Sequence, residues 1–216
     1  MKKTLMTLVL AGAATAAAQT SNFQLGLTGG FSGGLGGEVS VHAPNLFNGL
    51  GLRATTAYTG VDAFNDQSTA FAAIGYPTFA AYKTGTNSTE SGSNTTVGVD
   101  VTYGLGTLAQ NTTATLYAGP RYNMFRGTIT TPGATTTTSD YTTNQFGLGA
   151  GVLLDYGIDR NLSLLGDLGF DQFFAAPITS NGVTTQPGTD AYRADDNLVN
   201  QPGSVFKFKV GIGYRF

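Results

Sequence analysis

The sequence predicts an all-β chain folded as an eight-stranded antiparallel transmembrane β-barrel, and three observations predict it. Residues 205–216 alternate strictly. Phe206, Phe208, Val210, Ile212, Tyr214 and Phe216 share one face, and Lys207, Lys209, Gly211, Gly213 and Arg215 share the other, because strand side chains point to alternate sides. Six large apolar groups opposite three cations suit lipid on one side and a polar, charge-paired lumen on the other. The composition agrees: 41% of residues are hydrophobic but only 11% are charged, against roughly 25% in a soluble domain. Thr, Asn, Gly and Ser fill the difference, as they would where half of every strand is apolar and half small or polar. Finally, Gly and polar residues interrupt every hydrophobic run, so none reaches the about 20 residues a spanning helix needs.

The chain opens with Lys2 and Lys3, an apolar stretch from Leu5 to Ala14, and small residues at Ala16-Ala17-Ala18. This is the pattern of a secretory signal peptide cut after Ala18, which makes 1–18 the signal peptide and 19–216 the barrel. Loss of the two lysines leaves 9 Lys and Arg against 13 Asp and Glu, a net charge of −4. That balance gives no reason to expect nucleic acid as a partner. With no Cys, the exported chain is not held by disulfides.

Period-two alternation bounded by turn residues gives eight segments in order. The first, 22–31, sets Phe23, Leu25 and Leu27 against Gln24, Gly26 and Thr28, and the glycine-rich run 33–37 turns the chain. In the second, 38–43, Val39 and Val41 face out while Glu38, Ser40 and His42 face in; Pro44 ends it, since proline cannot donate to a ladder. The third, 50–59, places Leu50, Leu52, Ala54 and Tyr58 outside and Arg53 inside. The fourth, 95–106, opposes Val97, Val99, Val101, Tyr103 and Leu105 to Asp100, Thr102 and Gly104. The fifth, 113–126, turns Tyr117, Arg121 and Asn123 inward; the sixth, 141–156, does so with Gln145, three glycines and Asp155. The seventh, 162–173, has Ser163, Asp167 and Asp171 inside, and the eighth is the terminal strand. Lengths near ten residues match a tilted membrane strand, and an even count of eight closes the smallest barrel. Closure is required because lipid offers no partner to an open edge.

Connections 44–48, 107–112 and 157–161 are short, whereas 60–94, 127–140 and 174–204 are long and polar. Short periplasmic turns and long outer loops set the orientation, with 33–37 a clipped outer loop. Tyr58, Tyr103, Tyr122, Tyr141, Tyr156, Phe173, Tyr214 and Phe216 are read as the two interfacial aromatic girdles.

The run Phe146-Gly147-Leu148-Gly149-Ala150-Gly151-Val152, the run Leu162 to Phe170, and the terminal strand resemble the small outer-membrane β-barrels of the OmpA/OmpX and opacity-protein type. The resemblance implies export to the outer membrane of a diderm bacterium and contact with its lipids. It also implies help from periplasmic chaperones and the barrel assembly machinery during biogenesis, with Tyr214 and Phe216 as part of the assembly signal. The chain leaves no room for the peptidoglycan-binding domain of the larger OmpA proteins, so wall tethering is not expected.

Inside the barrel, Glu38, Asp100, Asp155, Asp167 and Asp171 face Arg53, Arg121, Lys207, Lys209 and Arg215. Five acids against five bases form a self-neutralising lumen, because an unpaired charge in a narrow interior is costly. They read either as the gate of a pore or as a rigid plug, and the plug is favoured because eight-stranded barrels fill their interior with side chains. Some eight-stranded barrels are lipid acylhydrolases with a Ser-His-acid group at the outer surface. Here the one histidine, His42, falls near the periplasmic end on the inward face, and catalysis is not expected. Asp190, Asp195 and Asp196, with Asn197 and Asn200, could offer oxygen ligands to Ca²⁺, but their spacing fits no EF-hand and reads as a solvated acidic loop. No metal or cofactor is expected. Phe71, Ile74, Tyr76, Phe79 and Tyr82 make the loop 60–94 strongly apolar. They are either a partner patch or a small core capping the barrel mouth. The expected function is a non-enzymatic structural or surface-interaction role, as a monomer, for a surface-layer or extracellular partner met by the long loops. A narrow porin-like channel is the alternative and an acylhydrolase the more distant one.

Overall fold

The computed structural model describes residues 23–216, so the expected signal peptide, residues 1–18, lies outside the described residues. In chain order the strands are β1 (Gln24–Ser32), β2 (Leu35–Phe47), β3 (Leu50–Gly60), β4 (Thr89–Ala109), β5 (Thr112–Thr131), β6 (Thr137–Gly157), β7 (Leu162–Phe173), β8 (Ile178–Ser180), β9 (Val183–Thr185) and β10 (Ser204–Arg215). Two helices, α1 (Phe79–Thr86) and α2 (Asp190–Leu198), sit in the long connections, preceded in the first by a 3₁₀ turn at Ala72–Ile74. Strands β1 to β7 and β10 pair antiparallel with their neighbours, and the β5–β6 and β1–β10 pairings close the ring at eight. Strands β8 and β9 extend the sheet from the outer end of β6. Among the described residues no helix is long and apolar enough to cross a membrane; the crossing is made by strands.

The two faces separate as alternation requires. On β10, Phe206, Phe208 and Val210 are 59%, 52% and 56% exposed, while Lys207 and Lys209 between them are 4% and 1% exposed. In a membrane barrel this inversion is the stable arrangement: the exposed apolar band meets lipid and the buried side is polar.

Several boundaries differ from those read in the sequence. The first hairpin turns in two residues, Gly33 and Gly34, with Gly33 at φ 71°, so β2 starts at Leu35. Pro44 lies within β2 rather than ending it, but regular pairing lapses after Ala43 and resumes only at Phe47, as a missing N–H dictates. An Asn48-Gly49 pair, both at positive φ, then makes the tight turn such dipeptides favour. The larger difference is in β4, β5 and β6, which run for 21, 20 and 21 residues, about twice a membrane crossing. Most of the expected loop 127–140 is therefore strand, and only 132–136 turn at its tip.

Those outer strand halves carry a second core. Phe125, Ile129 and Tyr141 from β5 and β6, Ile178 from β8, Tyr192 and Leu198 from α2, and Ala63, Phe64, Phe79 and Val199 form one buried apolar cluster. Tyr141 thus belongs to this core, not to an aromatic girdle. Phe173 is likewise turned inward, at 5% exposure, because it falls in phase with Asp171. Of the other girdle residues, Tyr58, Tyr103, Tyr156, Tyr214 and Phe216 are exposed, and Tyr122 packs against Phe146 with ring centroids 5.1 Å apart.

Candidate functional site: the lumen and its cap

From the periplasmic end outward, the lumen is filled in layers. Arg215 pairs with Asp155, which also accepts from Gln24 Nε2. Gln24 in turn lies 3.1 Å from Ser163 Oγ. His42, buried, lies 3.0 Å by Nε2 from Thr102 Oγ1. Above them Arg53 Nη2 donates to Glu38 Oε1 at 2.5 Å and to Asp167 Oδ2 at 2.8 Å, and Lys209 Nζ donates to Glu38 Oε2 at 2.6 Å. Further out, Arg121 donates from Nη1 to Asp100 Oδ1 at 2.6 Å and from Nε to Asp171 Oδ1 at 3.0 Å. Asp171 Oδ1 also accepts from Lys207 Nζ at 2.9 Å.

The ten charges thus resolve into three groups, one of one acid and one base and two of two acids and two bases. Each group is neutral by itself. Such pairs are weak evidence of stability, since desolvation offsets attraction, but removing one partner leaves a buried charge and is costly.

Tyr117 joins the two larger groups. Its hydroxyl donates to Asp167 Oδ1 at 2.6 Å, and its ring centroid lies 4.9 Å from Arg53 Cζ, 5.9 Å from Arg121 Cζ and 5.3 Å from Lys207 Nζ. Cations over an aromatic face are attracted by its quadrupole. The ring fits because Gly151 and Gly169 stand beside it. A Cβ at either would collide with the Tyr117 hydroxyl. Sequence reading places Tyr117 inside but assigns it no role; Gly151 on β6 and Gly169 on β7 are the available signal that a large ring needs the space.

Above the charges lies an uncharged polar layer. Thr96 Oγ1 donates to Asn123 Oδ1 at 2.9 Å, and Asn123 Nδ2 donates to Asn94 Oδ1 at 3.3 Å. Gln145, 1% exposed, donates from Nε2 to the carbonyl oxygens of Phe174 and Pro202 at 3.3 and 2.9 Å. One amide thereby holds both ends of the connection between β7 and β10.

The cap core closes the outer mouth. An isolated bridge joins Phe64 to Val199, flanked by Asn65 N–H to Leu198 O at 2.8 Å and Asn200 N–H to Ala63 O at 2.9 Å. The two long connections are thus sewn together over the lumen. Helix α1 starts where Thr78 Oγ1 accepts from Ala81 N–H at 3.2 Å, and α2 where Thr189 Oγ1 accepts from Tyr192 N–H at 3.1 Å, as N-caps do. The expected partner patch is mostly consumed here. Phe79 is fully buried, with Phe71 and Phe64 rings 5.6 and 5.5 Å away. Phe71 stacks on Tyr82 at 4.1 Å, with Tyr76 edge-on to Tyr82 at 5.3 Å. Ile74 alone of the five is well exposed, at 64%. Lys83 fastens α1, bonded to Asp66 at 2.5 Å and to Glu90. Partial burial draws its pKa down, but the bonds it donates to Asp66 and Glu90 outweigh that and hold it above the ordinary lysine value.

Asp190, Asp195 and Asp196 lie on α2 and are engaged singly: Asp190 with Arg193 at 3.2 Å, Asp195 with Thr185 at 2.8 Å and Asp196 with Gln201 at 2.5 Å. Asn197 and Asn200 fasten the cap to the first connection, through Ser68 and Ala63. Among the described residues no three His, Cys, Asp or Glu side chains converge as metal ligands would.

No family model matches the sequence, and no curated protein does. Among solved structures, a major outer membrane protein from Thermus thermophilus is similar along 92% of this chain and 100% of its own, at 33% identity and a TM-score of 0.82. The N-terminal β-barrel domain of Pseudomonas aeruginosa OprF is similar along 91% of this chain and 98% of its own, at 12% identity and a TM-score of 0.44. Ail of Yersinia pestis, crystallised with the heparin analogue sucrose octasulfate, is similar along 90% and 97%, at 10% identity and a TM-score of 0.46.

Proposed function

We propose, from the premise that the chain belongs to the family of the Thermus major outer membrane protein, the small eight-stranded outer-membrane β-barrels of the OmpA/OmpX type, that it is a closed, non-enzymatic barrel of the diderm outer membrane whose outer cap is its working surface. The observation that carries this reading is the continuous filling of the lumen. Three neutral charge groups, an amide layer and an apolar core follow one another from periplasmic end to outer mouth. A conducting path needs polar sites that an ion can enter and leave; here each lumen charge already has an opposite partner and the mouth is covered by apolar side chains. An acylhydrolase reading is further disfavoured because His42 sits within the lumen with Thr102, away from the outer surface.

What remains presented to the outside is the cap, built from two sewn loops and the outer halves of β4, β5 and β6. It would serve a surface-layer or extracellular partner. Single-channel recording in planar bilayers tests the closed-barrel reading, with no steady conductance expected. A large stable conductance would promote the porin-like alternative. Replacing 61–88 and 174–203 with short turns tests the surface role: the barrel should still show heat-modifiable migration while losing whatever the full chain retains from native envelopes.

A further inference from the structure

The outward faces of β5 and β6 change character within one residue pair. Tyr122 lies opposite Phe146, Met124 opposite Asn144, and Arg126 opposite Thr142, while Thr142 lies opposite Thr179 of β8. Below the change stand Tyr122, Phe146 and Met124; above it stand Arg126, Thr142 and Asn144. The outward apolar band of a membrane barrel ends at an aromatic girdle, so this step marks the level of the outer lipid headgroups. At that level a hollow of about 270 Å³ opens, lined by Thr142, Thr143, Asn144, Pro177 and Thr179. Beside it Phe146 and Phe174 are 69% and 53% exposed.

The charge at the rim is unusual for this protein. Among the described residues seven of nine Lys and Arg are ion-paired. The other two are Arg126 and Arg160, and Arg160 lies in the periplasmic turn between β6 and β7. Arg126 is therefore the one free cation on the outer side among the described residues, and it is exposed. The nearest acid on the outward face of β6, Asp140, accepts from Thr128 at 2.8 Å and makes no ion pair with it.

We propose that this rim binds an outer-leaflet lipid with an anionic, hydroxylated headgroup. Arg126 takes the phosphate, since a guanidinium matches phosphate with charge-assisted hydrogen bonds. Thr142, Asn144 and Thr179 take the hydroxyls in the hollow, and Phe146, Phe174 and Met124 carry the first methylenes of the acyl chain. Charge complementarity and the direct continuity of polar hollow with apolar wall select an amphiphile rather than a soluble polyol.

The test is native mass spectrometry of the full refolded chain, released from phosphatidylcholine bilayers doped with phosphatidylinositol or with phosphatidic acid. The wild type should retain phosphatidylinositol about tenfold over phosphatidylcholine, the order expected of one charge-assisted contact. Arg126→Gln should abolish that preference and Arg160→Gln should leave it intact. Thr142→Val with Thr179→Val should lower phosphatidylinositol retention about fivefold, as loss of neutral hydrogen bonds does, and spare phosphatidic acid, whose headgroup has no polyol. All four positions are outside the barrel interior, and heat-modifiable migration checks that each variant folds. No preference in the wild type, a preference surviving Arg126→Gln, or equal loss in Arg160→Gln overturns the proposal. So does equal retention of soluble inositol phosphate, which would make the ligand a free polyol phosphate.

Discussion

Tyr117 on β5 and Asp167 on β7 meet inside the lumen, hydroxyl to carboxylate, at 2.6 Å, although β6 separates their strands in the wall. The bond bridges the two strands from the inside, past β6, through a charged acceptor. Tyr117→Phe keeps the ring and its three cations but removes the donor. It should destabilise the inserted barrel by about 1.5–3 kcal/mol, the range for hydrogen bonds to charged groups, in a urea titration in lipid vesicles. An unchanged midpoint would show that Arg53 alone satisfies Asp167.

Gly169 has no room for a side chain: a Cβ there would strike the Tyr117 hydroxyl and lie 3.0 Å from Lys207 Cε. Gly169→Ala should therefore cost about 1–3 kcal/mol as overpacking. Gly166→Ala, whose Cβ would meet only Leu154 Cβ at 3.7 Å, should stay within about 0.5 kcal/mol of wild type. Combining Gly169→Ala with Tyr117→Phe should cost less than the sum of the two, because the residues share one contact.

Exposure alone does not decide what a surface position tolerates. Val210 is 56% exposed on the membrane wall and Val183 is 68% exposed on the cap. Val210→Arg should cost about 2–4 kcal/mol, the value for Arg near the bilayer midplane, whereas Val183→Arg should be nearly silent in the same refolding titration. Equal effects would move the membrane boundary assigned here.

Acid should loosen the turn between β6 and β7. The N–H groups of Leu162 and Asn161 donate to Asp159 Oδ1 at 2.7 and 2.8 Å and hold its carboxyl below the usual carboxylate range. Because the folded value lies below the unfolded one, about 3.9, the stabilisation is complete above that pH and fades as pH falls through the folded value. The stability gap between wild type and Asp159→Ala should be constant from neutral pH down to about 4 and close below it. A gap that widened on acidification would reverse the sign.

The barrel itself is legible in the sequence because alternation needs only a period of two: Lys207 and Lys209 between Phe206, Phe208 and Val210 can face only one way. Which acid meets which base is not legible, since Arg53 reaches Asp167 114 residues away through a stagger that no single strand encodes. The cap is hidden for a different reason. Asn123, Phe125, Gly127 and Ile129 continue one inward face, and the change from Asn to Phe along it marks where lumen becomes apolar core. Read as a loop beginning at Gly127, that signal is lost. Pro44 misleads in the opposite direction: a ladder can tolerate a missing donor where its pairing has already slipped.

The neutral charge groups bear on how the barrel forms. Glu38 and Lys209 are 171 residues apart and sit on β2 and β10, on either side of β1. Their pairing requires the β1–β10 seam to be shut. A sheet that has entered the membrane without closing would hold Lys209 away from Glu38, which would keep Arg53 alone as its partner, alongside an unpaired edge. Both penalties vanish in the same step, so the last seam to join is also the one that discharges the interior. Partly zipped forms are thereby disfavoured twice over, and insertion becomes a single cooperative event.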